Sequence, residues 1–275
     1  MVATPTSAPA SDAVHAAAPS APDAPTATAA PQPAPGAAGT HDLAWLRDQF
    51  ATAGGYLNAA TCGLPTRSTT EAMARDARRW TTGDVSPVTY HDDVERARAL
   101  YAGLVGVRPE RVATGSQTSV FAGMIAAGVP DGGEVVVVDG DFSSLVYPFL
   151  VQADRPHPTR EGGRITVRSV PRAELCSSLG ENTAAVVFSH SQSACGSLTG
   201  IDEVTRAASE VGALTVCDIT QSVGWSPVDA SAVDVTVCSA YKWMCHPRGV
   251  AYMTVSDRAM EALVPVNAGW YAGEV

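Results

Sequence analysis

The chain has 275 residues, 45% apolar and 17% charged, with a net charge of −10 and a pI near 5.0. That length holds one large domain or two small ones with ample buried core. The acidity speaks against a nucleic-acid surface, which needs clustered cations. The strongest apolar run, Val135–Val138, is far too short for a membrane span and suits a buried strand.

Taken in chain order, residues 1–40 stand apart. They hold fifteen alanines and eight prolines, with no aromatic residue and no Lys or Arg. Proline at that density prevents a continuous helix, and too little large apolar surface remains to offset ordering entropy, so a disordered tail is expected. Neither a secretion signal nor an arginine-rich transit peptide is apparent. A globular domain is expected over residues 41–275. Helices are predicted over Pro65–Thr82, His91–Leu104 and Ser116–Ala127.

Beyond them, strands alternate with amphipathic helices. The strand candidates are Glu134–Asp139, Ile165–Val170, Ala184–Ser189, Leu214–Asp218, Asp234–Ser239 and Val250–Val255. The intervening helices are Ser143–Ala153, Ile201–Val211 and Asp257–Val264. This alternation predicts an α/β fold, a doubly wound and mostly parallel sheet covered on both faces. Ligands of such sheets sit beyond the carboxyl ends of the strands. Polar stretches fall at four of those ends: Asp139–Phe142, Ser189–Ser193, Asp218–Gln221 and Ser239–Lys242.

The six cysteines (Cys62, Cys176, Cys195, Cys217, Cys238 and Cys245) lack CxxC spacing. They read as reduced residues, mostly small buried hydrophobes, of a cytoplasmic protein. The His and Cys positions show no zinc spacing, so no metal is expected.

Lys242 is the sole lysine against seventeen arginines. Arginine serves wherever a fixed positive charge suffices, but its guanidinium does not lose its proton. Covalent attack on a carbonyl needs a tunable amine, and pyridoxal phosphate is the leading cofactor for such a lysine. On the count alone, coding bias against lysine explains the survivor equally well. Asp218 closes an apolar strand, where a carboxylate can keep a pyridine nitrogen protonated, and Gln221 three residues on can donate to a ring oxygen. Asp218 also reads as an ordinary turn cap. Gly115–Ser119 precedes an apolar helix, and its hydroxyls, amide and free N–H groups form a phosphate cradle, or simply an N-cap by Ser116. Phe142 is placed to stack on a planar ring or to join the core. Neither a Walker loop nor GxGxxG appears.

Together these segments resemble the class V aminotransferase family of fold-type I pyridoxal-phosphate enzymes, which includes cysteine desulfurases, kynureninases and isopenicillin N epimerase. Tyr56–Thr61 is similar to the family's opening segment, Gly115–Ser119 to its phosphate loop and Ser239-Ala240-Tyr241-Lys242 to its Schiff-base segment. The resemblance implies pyridoxal 5'-phosphate held on Lys242, with Asp218 at the ring nitrogen and Gln221 at the ring oxygen. It places Phe142 on the ring face and Gln117, Thr118, Ser239 and Tyr241 around the phosphate. It implies a transferase of the PLP-dependent type acting on a small amino-acid substrate, with no nucleic acid or membrane partner. Gly269-Trp270-Tyr271-Ala272-Gly273 is similar to a kynureninase-like segment that reaches the partner subunit, so a homodimer is expected. Family members continue for a further hundred or more residues, so the C-terminal small domain, with its usual carboxylate-binding arginine and desulfurase cysteine, is expected to be largely absent. The alternatives are a shortened cofactor-binding protein without turnover and a desulfurase or C–S lyase reaction in a longer parent.

Overall fold

The computed structural model describes residues 43–50, 54–159 and 161–269. The tail 1–40 and the Trp270–Gly273 part of the kynureninase-like segment lie outside them. Seven strands form one sheet: β1 (Val112–Gly115), β2 (Glu134–Val138), β3 (Thr166–Val170), β4 (Thr183–Ser189), β5 (Leu214–Asp218), β6 (Val235–Ser239) and β7 (Ala251–Val255). Their order is β1-β7-β6-β5-β4-β2-β3. Only β7 runs against its neighbours, pairing antiparallel with both β1 and β6. The mostly parallel sheet read from the alternation is therefore present.

The helices are α1 (Leu43–Asp48), α2 (Arg67–Thr81), α3 (His91–Val105), α4 (Thr118–Gly128), α5 (Ser143–Asp154), α6 (Ile201–Val211) and α7 (Asp257–Ala262). Alternate strand residues divide the core in two. Val136, Val138, Val186 and Phe188 pack with Tyr101 and Val105 of α3 and Val204 of α6. Val135, Val137, Ala185 and Val187 pack on the other face with Phe121 and Ile125 of α4, Leu145 and Phe149 of α5 and Ala259 of α7. A central strand buried on both faces has no polar side to alternate with, which is why β2 is an unbroken valine run. Each such valine contributes about 1.5–3 kcal/mol by leaving water.

Two differences from the sequence expectation bear on the site. Strand β1 was not predicted: Val-Ala-Thr-Gly is too short and too polar to signal itself, and β7 supplies its ladder. Helix α4 starts at Thr118 instead of Ser116, because Gln117 holds an extended backbone (φ −169°) and is itself the N-cap, with no side-chain capping bond. The strand ends of β1, β2, β4, β5 and β6 consequently face one crevice, and the first turn of α4 opens onto it.

Candidate active site

The crevice is a cleft of about 380 Å³ that includes Gln117, Thr118, Phe142, Asp218, Gln221, Ser239, Tyr241 and Lys242 in its lining. Its size suits a small-molecule ligand. All eight of the side chains named from the sequence thus meet in one place. Ser189, Ser191, Ser193, Thr220 and Arg248 also line it.

At the end of β5, Asp218 is 4% exposed. Burial pushes its carboxyl up to about 6, against the opposing pull of the Thr220 hydroxyl and N–H and of Lys242. The Thr220 N–H donates to Asp218 Oδ1 at 2.8 Å. The Thr220 hydroxyl oxygen accepts from the Ser239 N–H at 2.9 Å. Ser239 Oγ in turn accepts from the Thr118 N–H at 3.1 Å and lies 2.9 Å from the Thr118 hydroxyl. A continuous set of hydrogen bonds therefore runs from the first turn of α4 to the buried carboxylate.

Lys242 follows β6 and is 5% exposed. Burial lowers its ammonium pKa, while Asp218 and Cys238 oppose the shift. Its Nζ lies 4.9 Å from the centroid of the Phe142 ring. Among the described residues, no hydrogen bond or ion pair closes on that nitrogen. The backbone around it is fixed from outside: the Gly63 N–H donates to the Tyr241 carbonyl at 2.8 Å, and the Cys245 N–H to the Lys242 carbonyl at 3.0 Å. A Cβ on Gly63 would stand 1.9 Å from the Lys242 carbonyl oxygen, so only glycine brings the Tyr56–Thr61 segment this close. Tyr241 carries the Arg248 guanidinium on its ring at 4.8 Å.

Phe142 precedes α5, and its N–H donates to Asp141 Oδ1 at 2.7 Å. Asp141 also accepts from the Ser189 N–H (2.8 Å), the Ser189 hydroxyl (2.5 Å) and Gln192 Nε2 (3.1 Å). Sequence reasoning marked this strand end but gave Asp141 no task. Its task is to lock the β2 and β4 loops together and set Phe142 over the cleft. Gln221 is more committed than expected. Its amide donates to the Ala60 carbonyl at 3.0 Å and to Ser193 Oγ at 3.2 Å, and its Oε1 accepts from Trp243 Nε1 at 2.9 Å. Reaching a ring oxygen would require exchanging one of those donor bonds. His190 Nδ1 lies 2.9 Å from the Thr199 carbonyl, away from the cleft. Among the described residues no His/Cys/Asp/Glu group could hold a metal ion, and no helix is long and apolar enough to cross a membrane.

The model of the aminotransferase class-V family matches residues 82–272, and the chain belongs to that family. It is 26% identical over 231 residues to an isopenicillin N epimerase of Amycolatopsis lactamdurans, covering 78% of this chain and 57% of the relative. It is 30% identical over 238 residues to a probable cysteine desulfurase of Aeropyrum pernix, covering 78% and 55%. The chain thus spans little more than half the length of these relatives. A solved structure of a C-DES mutant with glycine covalently linked to its PLP cofactor superposes with a TM-score of 0.71 at 20% identity, over 82% of this chain and 63% of that one. That likeness shows the shared α/β fold.

Pyridoxal 5'-phosphate is the cofactor that membership in this family implies. Two features of the chain itself fit it. The buried Asp218 lacks a full countercharge, which a protonated pyridine nitrogen supplies. In the first turn of α4 Gln117 makes no side-chain cap, and although Ser239 takes the Thr118 N–H and the Gln117 carbonyl the Val120 N–H, the Ser119 N–H has no partner among the described residues and is left for a phosphate.

Two outcomes follow from this geometry. An acid whose folded pKa is about 6 instead of 3.8 binds its proton more tightly in the native state, so folding stability falls as pH rises between those values and stays low above them. In the cofactor-free chain, Asp218→Asn should remove that fall, leaving the variant more stable than wild type by on the order of 2–3 kcal/mol above pH 7 and little changed at pH 4. Thermal melts across pH check the sign, and a variant that melts below wild type at pH 8 contradicts it. Gly63→Ala should lower stability by about 1–3 kcal/mol and weaken cofactor uptake together, because the displaced atom is the Lys242 carbonyl. Melting and cofactor titration of the same sample read both.

Proposed function

We propose that the chain binds pyridoxal 5'-phosphate through Lys242 and acts on an α-amino acid by moving the proton of its α-carbon, the step from which class-V aminotransferase-type chemistry starts. Lys242 carries this reading: it is a buried amine with a lowered pKa, free of ion pairing among the described residues, in the same cleft as Asp218. The bound cofactor supplies an electron sink for charge left on the substrate carbon.

The chain's own residues do the rest. Lys242 Nζ would hold the cofactor covalently, and the same nitrogen would take and return the proton of the substrate α-carbon. Its lowered pKa favours the neutral amine that both tasks need. Asp218 holds a proton at the ring-nitrogen end of the cleft. Gln117, Thr118, Ser239 and Tyr241 hold the phosphate at the other end, with the backbone of α4 behind them. Phe142 would stack on the cofactor ring, and Gln221 would bind its ring oxygen by giving up one of its present donor bonds.

A second reading is favoured by the names of the relatives, an epimerase and a desulfurase: racemisation or C–S cleavage, which would use the same lysine and carboxylate. A cofactor-binding protein without turnover is a third. It is distinguished by a bound cofactor whose spectrum does not respond to a panel of amino acids. In the same proposal the working unit is a cytoplasmic homodimer, supported by the likeness of residues 269–273 to the kynureninase-like segment. Light scattering of the cofactor-loaded chain at micromolar concentration should give twice the chain mass, and a monomer counts against it.

The test of the main reading is spectroscopic and chemical. Added pyridoxal 5'-phosphate should give a visible absorption band that Lys242→Ala abolishes while the fold remains. Borohydride reduction followed by peptide mapping should find the label on Lys242. An unlabelled Lys242, or an unchanged band in the variant, overturns the proposal.

A further inference from the structure

Beside the cleft lies a second cavity of about 510 Å³, and the two share Ser191, Ser193 and Gln221. We infer that this cavity is the side-chain subsite of an aromatic amino-acid substrate, walled by Trp225 and Trp243. The inference rests on the proposed amino-acid chemistry in the adjoining cleft.

Trp225 is 50% exposed, a large apolar surface left in water next to a reactive site. Its ring is nevertheless tethered: Trp225 Nε1 donates to the Gln221 carbonyl at 2.6 Å. Trp243 Nε1 donates to Oε1 of the same glutamine at 2.9 Å. With both indole N–H groups used on Gln221, the two tryptophans offer the cavity ring carbon only, beside the uncharged polar side chains of Ser191, Gln192, Ser193 and Cys195. The two rings stand 6.2 Å apart at 61°, an edge-to-face pair with fixed orientation. A third ring entering beside them meets aromatic contacts of the kind aromatic side chains prefer. Gly224 makes the close approach possible. Its φ of +102° suits glycine, and a Cβ there would stand 3.1 Å from the Trp243 carbonyl oxygen.

The opposite wall is the loop 191–196, which follows β4. None of the residues lining the cavity is charged. An acidic or basic substrate side chain would lose its hydration there without gaining an ion pair. A methyl group would leave most of the volume and both indoles uncovered. A planar, uncharged, bulky side chain uses the wall as built.

The measurement is calorimetric titration of the cofactor-loaded chain with 3-phenylpropanoate, propanoate and 4-guanidinobutanoate, none of which carries an amine able to condense with the cofactor. Wild type should bind 3-phenylpropanoate at least ~10-fold more tightly than either of the others. Trp225→Ala should reduce that preference to within about threefold, and Trp225→Phe should retain most of it. If Trp225→Ala fails to fold by thermal melt, Ala194→Trp, which fills the cavity from an exposed loop position, should erase the preference instead. Equal binding of propanoate or of 4-guanidinobutanoate by wild type overturns the subsite. So does a preference that survives in a folded Trp225→Ala or Ala194→Trp variant. The two readings fail separately. Cofactor on Lys242 with no aromatic preference sinks the subsite alone. An unlabelled Lys242, with the preference intact in the same titration of the cofactor-free chain, sinks the function alone.

Discussion

The hydrogen bonds that run from Thr118 through Ser239 and Thr220 to Asp218 hold the site in one geometry. Every member sits where a β-strand ends or a helix begins, and every member is nearly inaccessible to solvent. A buried carboxylate without a full countercharge is unfavourable by several kcal/mol unless its lone pairs are satisfied or a cation arrives. Here one oxygen is satisfied from the backbone, and Lys242 gives partial electrostatic relief. What remains unsatisfied is the part that a cationic ring would complete. The fold thus stores an unfavourable charge at the position where binding can discharge it.

The same economy governs the loops. Asp141 takes hydrogen bonds from Phe142, Ser189 and Gln192, so one carboxylate fixes the aromatic lid residue and the loop leading to the second cavity. Gln221 does the equivalent on the far side, binding Ala60, Ser193 and both indoles through four separate bonds. Neither residue could be moved without releasing several loops at once. Precision at the reacting atoms is therefore inherited from side chains that need not touch a ligand, which is how a site is kept within the tight tolerances that catalysis requires.

Much of the fold was legible because the central strands are bounded apolar runs and the crossover helices keep their period. The residues that gather in the cleft were legible because their types are restrictive: a lone lysine after a strand, an Asp closing another, hydroxyls before an apolar helix. What the sequence hid depends on contacts between distant segments. Strand β1 becomes a strand only through β7. The N-cap of α4 moved to Gln117 because Ser239 takes the Thr118 N–H that Ser116 was expected to serve. The donors of Gln221 are used by Ala60, far away in the chain, and by Ser193. Trp225 gave no signal at all, since a tryptophan after glycine reads equally as core or as surface. The closeness of Gly63 to the lysine turn was equally silent, because a glycine's need for space appears only when the neighbour is known.

The composition itself then acquires a physical reading. Every ion pair found among the described residues is carried by arginine, apart from one through His157. Several of those guanidiniums also reach backbone carbonyls, as Arg98 does at Val112 and Pro109, and Arg258 at Ala213. A flexible ammonium cannot bridge a carboxylate and a carbonyl with one planar fork. Arginine is therefore the better structural cation at those positions, and lysine has no advantage there. The advantage reverses only where a nitrogen must shed its proton inside a low-dielectric cleft. Lys242 occupies that environment: burial lowers its pKa, the neighbouring Asp218 opposes the shift, and no acid among the described residues holds it in a fixed ion pair. Whether or not coding bias removed the other lysines, arginine is the equal or better cation across the surface and could not perform the chemistry proposed for this single position.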